Sequence, residues 1–91
     1  MKIQIIHQNF DKNLWNKKAP HPLQSWQWGE ARKTMGIEVL RLTDGKDVYQ
    51  LTLHQLPLFK YKIGYLPRSV FPTNKVLTFL ANYATENNII F

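Results

Sequence analysis

Ile37-Glu38-Val39-Leu40-Arg41-Leu42-Thr43, then Asp44-Gly45, then Lys46-Asp47-Val48-Tyr49-Gln50-Leu51-Thr52-Leu53-His54-Gln55-Leu56: two β-rich runs flank an Asp-Gly dipeptide. Asp-Gly between such runs is the strongest short hairpin signal, because both residues of the favoured two-residue turn take positive φ. The reading is an antiparallel hairpin, residues 37–43 against 46–56, ended by Pro57. In the second arm Tyr49, Leu51 and Leu53 alternate with Gln50, Thr52 and His54. At the two-residue period of a strand, that gives one buried face and one wetter face.

On the C-terminal side, Tyr61 to Leu66 alternates again, with Tyr61, Ile63 and Tyr65 on one side, and extends the same sheet. Pro67 closes this strand and residues 68–72 form a loop. Thr73 or Asn74 caps a helix to about Glu86, with a core stripe of Val76, Phe79/Leu80 and Tyr83. Ile89-Ile90-Phe91 then reads as the opening of a further strand.

On the N-terminal side, Gln24 to Met35 holds good helix formers, with Gly36 at the C′ position. Its apolar side is Trp28, Ala31 and Met35. Trp26 lies roughly 200° round that helix from Trp28, so the two rings cannot face one core through it. Asp11 caps a short helical turn through Lys17, ended by Ala19-Pro20 and Pro22, and residues 2–7 read as a first strand. The order is β–α–β–β–β–α–β. This predicts an α+β fold, a mainly antiparallel sheet of four to five strands with two main helices packed on it. Trp28, Leu51, Leu53, Val76 and Leu80 are expected to be largely buried.

Ninety-one residues suit one domain with one modest core, since a chain of this size buries only about 60–65% of its unfolded surface. A composition of 44% hydrophobic and 20% charged residues excludes the disordered and collagenous classes. No apolar run approaches the ~18–20 residues of a membrane span. Met1-Lys2 leads straight into Ile-Gln-Ile-Ile without a charged-then-apolar leader, so the expected compartment is the cytoplasm. The absence of cysteine excludes disulfides, thiolate catalysis and zinc–thiolate sites. Twelve Lys and Arg against six Asp and Glu give a net charge of +6, which favours anionic partners. The basic residues cluster at Lys12–Lys18, Arg32-Lys33 and Lys60–Arg68, with no run of five like charges.

Constellations that would carry chemistry are missing. The four glycines stand too far apart for a phosphate-binding loop. His7, His21 and His54 are scattered, the carboxylates show no paired spacing, and neither Ser25 nor Ser69 has an evident base. No catalytic residue, metal ligand or cofactor site is assigned. Two segments stand out instead. Leu23-Gln24-Ser25-Trp26-Gln27-Trp28-Gly29-Glu30-Ala31-Arg32 puts two tryptophans and a glycine, worth ~1 kcal/mol less than alanine in a helix, at a helix start. Such a glycine implies close approach of a backbone or ligand, or serves packing alone. Gly64-Tyr65-Leu66-Pro67-Arg68-Ser69 is a strand end opening into a proline-bounded loop, where an arginine fork suits phosphate or carboxylate.

In this order the two segments resemble the Fem family, the peptidoglycan-bridge aminoacyl transferases. The shared pattern is Leu-Gln-Ser-Trp-x-Trp-Gly-x-x-Arg at 23–32, then Gly36, an Arg-Leu strand at 41–42, the hairpin, and Tyr-x-Pro-Arg at 65–68. The match runs from Pro22 through Ser69. Family members usually continue the second motif as Arg-Gly-Pro, where this chain has Arg68-Ser69-Val70. The resemblance implies the N-terminal part of the first GNAT-like domain of a larger transferase, which moves amino acids from aminoacyl-tRNA onto a muramyl-pentapeptide precursor, nucleotide- or lipid-linked. It further implies that Trp26, Trp28, Arg32, Tyr65 and Arg68 border the precursor site, that Arg32 pairs with precursor phosphate, and that aminoacyl-tRNA contacts lie in other parts of the protein. Residues 1–91 are then expected to bind without catalysing. The strand at 88–91 is expected to pair within its own sheet or with a second copy as a homodimer. Two alternatives stay open: a small nucleic-acid-binding module using Lys60, Lys62 and the aromatics Phe59, Tyr61 and Tyr65, and an interaction domain that completes a partner's sheet.

Overall fold

The computed structural model describes residues 2–58 and 60–91. Its centre is the hairpin of β2 (Glu38–Thr43) and β3 (Val48–Gln55), in antiparallel register with Leu40 opposite Leu51 and Leu42 opposite Tyr49. The turn differs from the two-residue form. Thr43 pairs with Val48, so Asp44 to Asp47 make a four-residue loop in which Gly45 alone takes positive φ, at 92°. The Asp44 side chain explains this: its Oδ1 accepts from the amides of Lys46 (2.9 Å) and Asp47 (2.8 Å), building the turn from αR-tolerant residues.

β1 (Gln4–Ile5) lies antiparallel beside β2 and is shorter than the 2–7 expected; Met1 is outside the described residues. β4 (Lys62–Tyr65) runs antiparallel to β3, and β5 (Ile89–Ile90) pairs with β4 in parallel. The sheet order is β1-β2-β3-β4-β5. Three α-helices accompany it: α1 (Lys12–Lys18) capped by Asp11, α2 (Trp26–Thr34) capped by Ser25, and α3 (Asn74–Asn87) capped by Thr73. The fold is α+β, as the sequence predicts, with one parallel pair and one helix more than the two main ones. Among the described residues, no helix is long and apolar enough to cross a membrane.

The two sheet faces are covered differently. Leu40, Leu42, Tyr49, Leu51 and Leu53 lie on one face and form a core with Val76 and Leu80 of α3 and with Ile89. On the opposite face Arg41, Gln50 and Thr52 are also buried, beneath α2 and the 3-10 turn Pro22–Gln24 that precedes it. The expected wetter face is therefore an interior one, and of the three polar residues read on β3 only His54, past the end of this cover, is exposed. Alternation reports side-chain polarity. It cannot report that a second helix layer will satisfy the polar atoms.

Leu51, Leu53, Val76 and Leu80 are buried as expected, but Trp28 is only partly so. The buried side of α2 is Trp26 and Gly29, not Trp28, Ala31 and Met35; Ala31 is exposed and Met35 is 65% exposed. Trp26 (5% exposed) packs in a second core with Trp15 and Val48, and Phe10 stacks on it. The Trp15 indole, fully buried, donates to the Gln24 carbonyl at 2.7 Å and ties α1 to the entry of α2.

Candidate anion-binding site

Gly29 explains how a helix can lie so close to a polar sheet face. A Cβ at this position would strike the Gln50 Oε1 and sit 2.5 Å from Arg41 Nη2. Without it, Arg41 extends beneath α2 and donates once from each of its three guanidinium nitrogens. Its Nε donates to Gln50 Oε1 (2.8 Å), Nη1 to Glu30 Oε2 (3.0 Å) and Nη2 to the Trp26 carbonyl (2.9 Å). Burial pulls Arg41 below its ordinary pKa, while the Glu30 carboxylate opposes that pull. For Glu30, burial acts to raise its pKa. Hydrogen bonds from Gln8 and Arg41 and the charges of Lys33 and Arg41 outweigh it, and the net direction is down.

Gln24 performs the second connection. Its Nε2 donates to the Gln50 carbonyl (3.0 Å) and to the Pro67 carbonyl (2.5 Å), and its Oε1 accepts from the Gln50 amide (2.8 Å). The fully buried amide thus clamps the 3-10 turn, β3 and the loop after β4 in one junction. This joins the two segments singled out in the sequence, 23–32 and 64–69, though 43 positions separate Gln24 from Pro67.

The helical period then sorts the remaining residues. Glu30 and Lys33 lie on the flank of α2 that reaches Gln8 beside β1. Trp28 and Arg32, four apart, fall on the opposite flank. The Arg32 guanidinium stacks on the Trp28 ring at 4.9 Å, its Nη1 reaches the Met35 sulfur (3.7 Å), and its buried Nε has no hydrogen-bond partner among the described residues. Tyr65 stands opposite Thr52 and therefore projects on this same sheet face, 54% exposed. Arg68 is exposed and takes a left-handed backbone conformation, φ 50°.

Ion pairs leave these two arginines apart. Lys33 and Arg41 pair with Glu30, and Lys62 pairs with Glu38 at 2.6 Å, whereas neither Arg32 nor Arg68 meets a carboxylate among the described residues. All five sequence-assigned residues belong to the segments gathered by the Gln24 junction, and four of them, Trp28, Arg32, Tyr65 and Arg68, are partly or fully exposed. The fifth, Trp26, is an interior residue whose ring faces Trp15, Phe10 and Arg41. Gln24 and Arg41 stand within the quoted pattern and Gln50 on the face read as wetter, but none of the three was assigned a site role by the sequence reading. An arginine between two core leucines on β2 is the signal that could have found Arg41, since a charge on a covered strand requires a partner.

Among the described residues no cluster of three His, Cys, Asp or Glu could hold a metal. His21 Nδ1 accepts from the Leu23 amide (3.1 Å) and His54 shares a hydrogen bond with Thr52 Oγ1 (2.9 Å). Phe59 lies outside the described residues, while Tyr61 is exposed. No family model, curated protein or solved structure matches the chain.

Proposed function

We propose that this chain is the precursor-binding portion of a Fem-type aminoacyl transferase. Arg32 and Arg68 hold the phosphates of a nucleotide- or lipid-linked muramyl-pentapeptide, and the acyl transfer from aminoacyl-tRNA depends on other parts of the protein. The observation that carries this reading is the Gln24 clamp, which makes neighbours of the two segments on which the family resemblance rests. Two arginines without carboxylate partners among the described residues then lie one on each of the joined segments, and arginine forks match phosphate oxygens. Trp28 fixes one fork by stacking. Tyr65 offers a flat neighbour for a sugar or base. Binding and orientation are the contribution here, in keeping with the lack of an acid–base constellation.

The test is a titration with a uridine-diphosphate sugar, followed by backbone NMR shifts. Shifts centred on residues 28–32 and 65–69, lost in both Arg32→Ala and Arg68→Ala, support the reading. The affinity will be weak, because exposed charges are screened within about 8 Å at physiological salt. A rival nucleic-acid reading draws on the exposed Tyr61 and on Lys60, whose ammonium lies 5.5 Å from that ring. Shifts confined to Lys12–Lys18 or Lys60–Lys62, with preference for oligonucleotides, would replace the transferase reading with it.

A further inference from the structure

The connection between β3 and β4 departs from the usual chemistry of a solvent turn. It reads Leu56-Pro57-Leu58-Phe59-Lys60-Tyr61, with no Gly, Asn or Asp. The Leu56 amide donates to the Tyr61 carbonyl at 3.2 Å and closes its base. Leu58 takes a left-handed backbone conformation, φ 66°, and is 103% exposed. That conformation suits glycine or asparagine and is unfavourable for a bulky side chain. At the opposite end of the hairpin the ordinary solution is used, with Gly45 at positive φ and Asp44 bonded to the turn amides. Leu58 thus combines backbone strain with a fully hydrated apolar side chain, and no packing within the fold offsets either. Beside it Tyr61 is exposed, with the Lys60 ammonium 5.5 Å from its ring. Lys60 has no carboxylate partner among the described residues, whereas Lys62 is paired with Glu38. β2 starts at Glu38, opposite Leu53, so the end of α2 with its exposed Met35 lies at this same end of the sheet.

We propose that the β3–β4 turn is a membrane-docking tip, which enters the interface of an anionic phospholipid bilayer with Leu58 foremost. An aliphatic side chain at a protruding tip suits the acyl boundary, and a tyrosine ring belongs at the headgroup level. Lys60 can keep its ammonium among lipid phosphates while its stem follows the Tyr61 ring. The net charge of +6 draws the chain to an acidic leaflet. A nucleic acid is the poorer match, because bases stack on flat rings and the foremost residue here is aliphatic. A protein partner is poorer too: stable protein interfaces fit about 800 Å² on each side, and a narrow turn offers far less. A fluid bilayer moulds itself around a single tip. The inference stands independently of the ligand proposed above.

Co-sedimentation of the full chain with phosphatidylcholine vesicles, with and without phosphatidylserine, tests it, alongside an oligonucleotide as competitor. The expected result is partition onto the phosphatidylserine vesicles that weakens as salt screens the charges. Leu58→Asn is the deciding variant, since asparagine accepts the left-handed backbone and lacks the apolar side chain. It should lower vesicle affinity on the order of tenfold or more, while the melting temperature stays level or rises. Lys60→Ser should remove part of the preference for the anionic lipid. Absence of partition at low salt overturns the proposal. So does vesicle binding that Leu58→Asn leaves intact, or one that the oligonucleotide displaces equally in parent and variant. A fall in melting temperature in Leu58→Asn also overturns it, because Leu58 would then serve the fold.

Discussion

The Arg41 guanidinium lies 3.6 Å from the centre of the Trp26 ring, and the same side chain donates to the Trp26 carbonyl at 2.9 Å. One buried cation thereby holds both the ring and the backbone of the first turn of α2. Replacing it with methionine would keep much of the volume but leave Gln50 Oε1 and the Trp26 carbonyl without their donors. Breaking a buried ion pair costs ~3–5 kcal/mol when the abandoned charge stays buried. Glu30 is a third exposed and can turn to water, so the loss for Arg41→Met is expected near the lower end, roughly 3 kcal/mol. Urea unfolding checks it; a variant within 1 kcal/mol of the parent, roughly the value of one ordinary hydrogen bond, would show that the network is dispensable.

Gly29→Ala gives a test of sign. In an open helix this change stabilises by ~1 kcal/mol. Here the new methyl meets Gln50 and Arg41, both held by other bonds and unable to withdraw. Overpacking costs ~1–3 kcal/mol and outweighs the propensity gain, so the melting temperature should fall. A rise would mean that α2 stands further from the sheet than the structure has it.

Acid should loosen the same layer. The Glu30 carboxyl is held below its ordinary value of 4.5 and the Asp44 carboxyl below 3.8. At Asp44 burial acts upward but is outweighed by the amides of Asp47 and Lys46. A group whose folded pKa is depressed stabilises the fold above its unfolded pKa, and this stabilisation is lost as pH falls through the folded value. Stability is therefore expected to be flat near neutrality and to decline from about pH 4.5 downward. Glu30→Gln should flatten part of that decline, as followed by thermal melts at successive pH values.

The hairpin, the caps at Asp11 and Thr73, and the α3 core stripe answer to local rules, and the sequence displays them directly; the Ser25 cap was read as part of a helix starting at Gln24. Two features escaped those rules. The buried face of α2 could not be read from its apolar residues, because the position that meets the sheet is a glycine and the residues it meets are Arg41 and Gln50. The other is the turn, where the Asp44 side chain replaced the expected positive φ at that residue. For the site, Trp28, Arg32, Tyr65 and Arg68 were legible as motif residues. The link between the two segments was not, because it depends on Gln24, a residue whose hydrogen bonds reach 26 and 43 positions along the chain.

Gln24 is accordingly the residue whose loss should separate the two halves of the candidate site. Gln24→Ala removes the acceptor for the Gln50 amide and the donor for the Gln50 and Pro67 carbonyls, all in the interior. Unsatisfied buried groups cost ~1–3 kcal/mol each, partly relieved by water entering the vacated space. Gln24→Glu keeps the shape and the acceptor but faces an anion toward two carbonyl oxygens, so it should do no better than alanine at neutral pH. Hydrogen exchange offers the sharpest readout: the Gln50 amide, protected in the parent, should exchange faster in both variants, together with amides of the loop following Pro67. If that loop loosens, anion binding at Arg68 should weaken while the Arg32–Trp28 stack keeps its own shifts. Unchanged exchange at Gln50 in Gln24→Ala would show that the loop is held by other contacts, and the shared site would lose its structural basis.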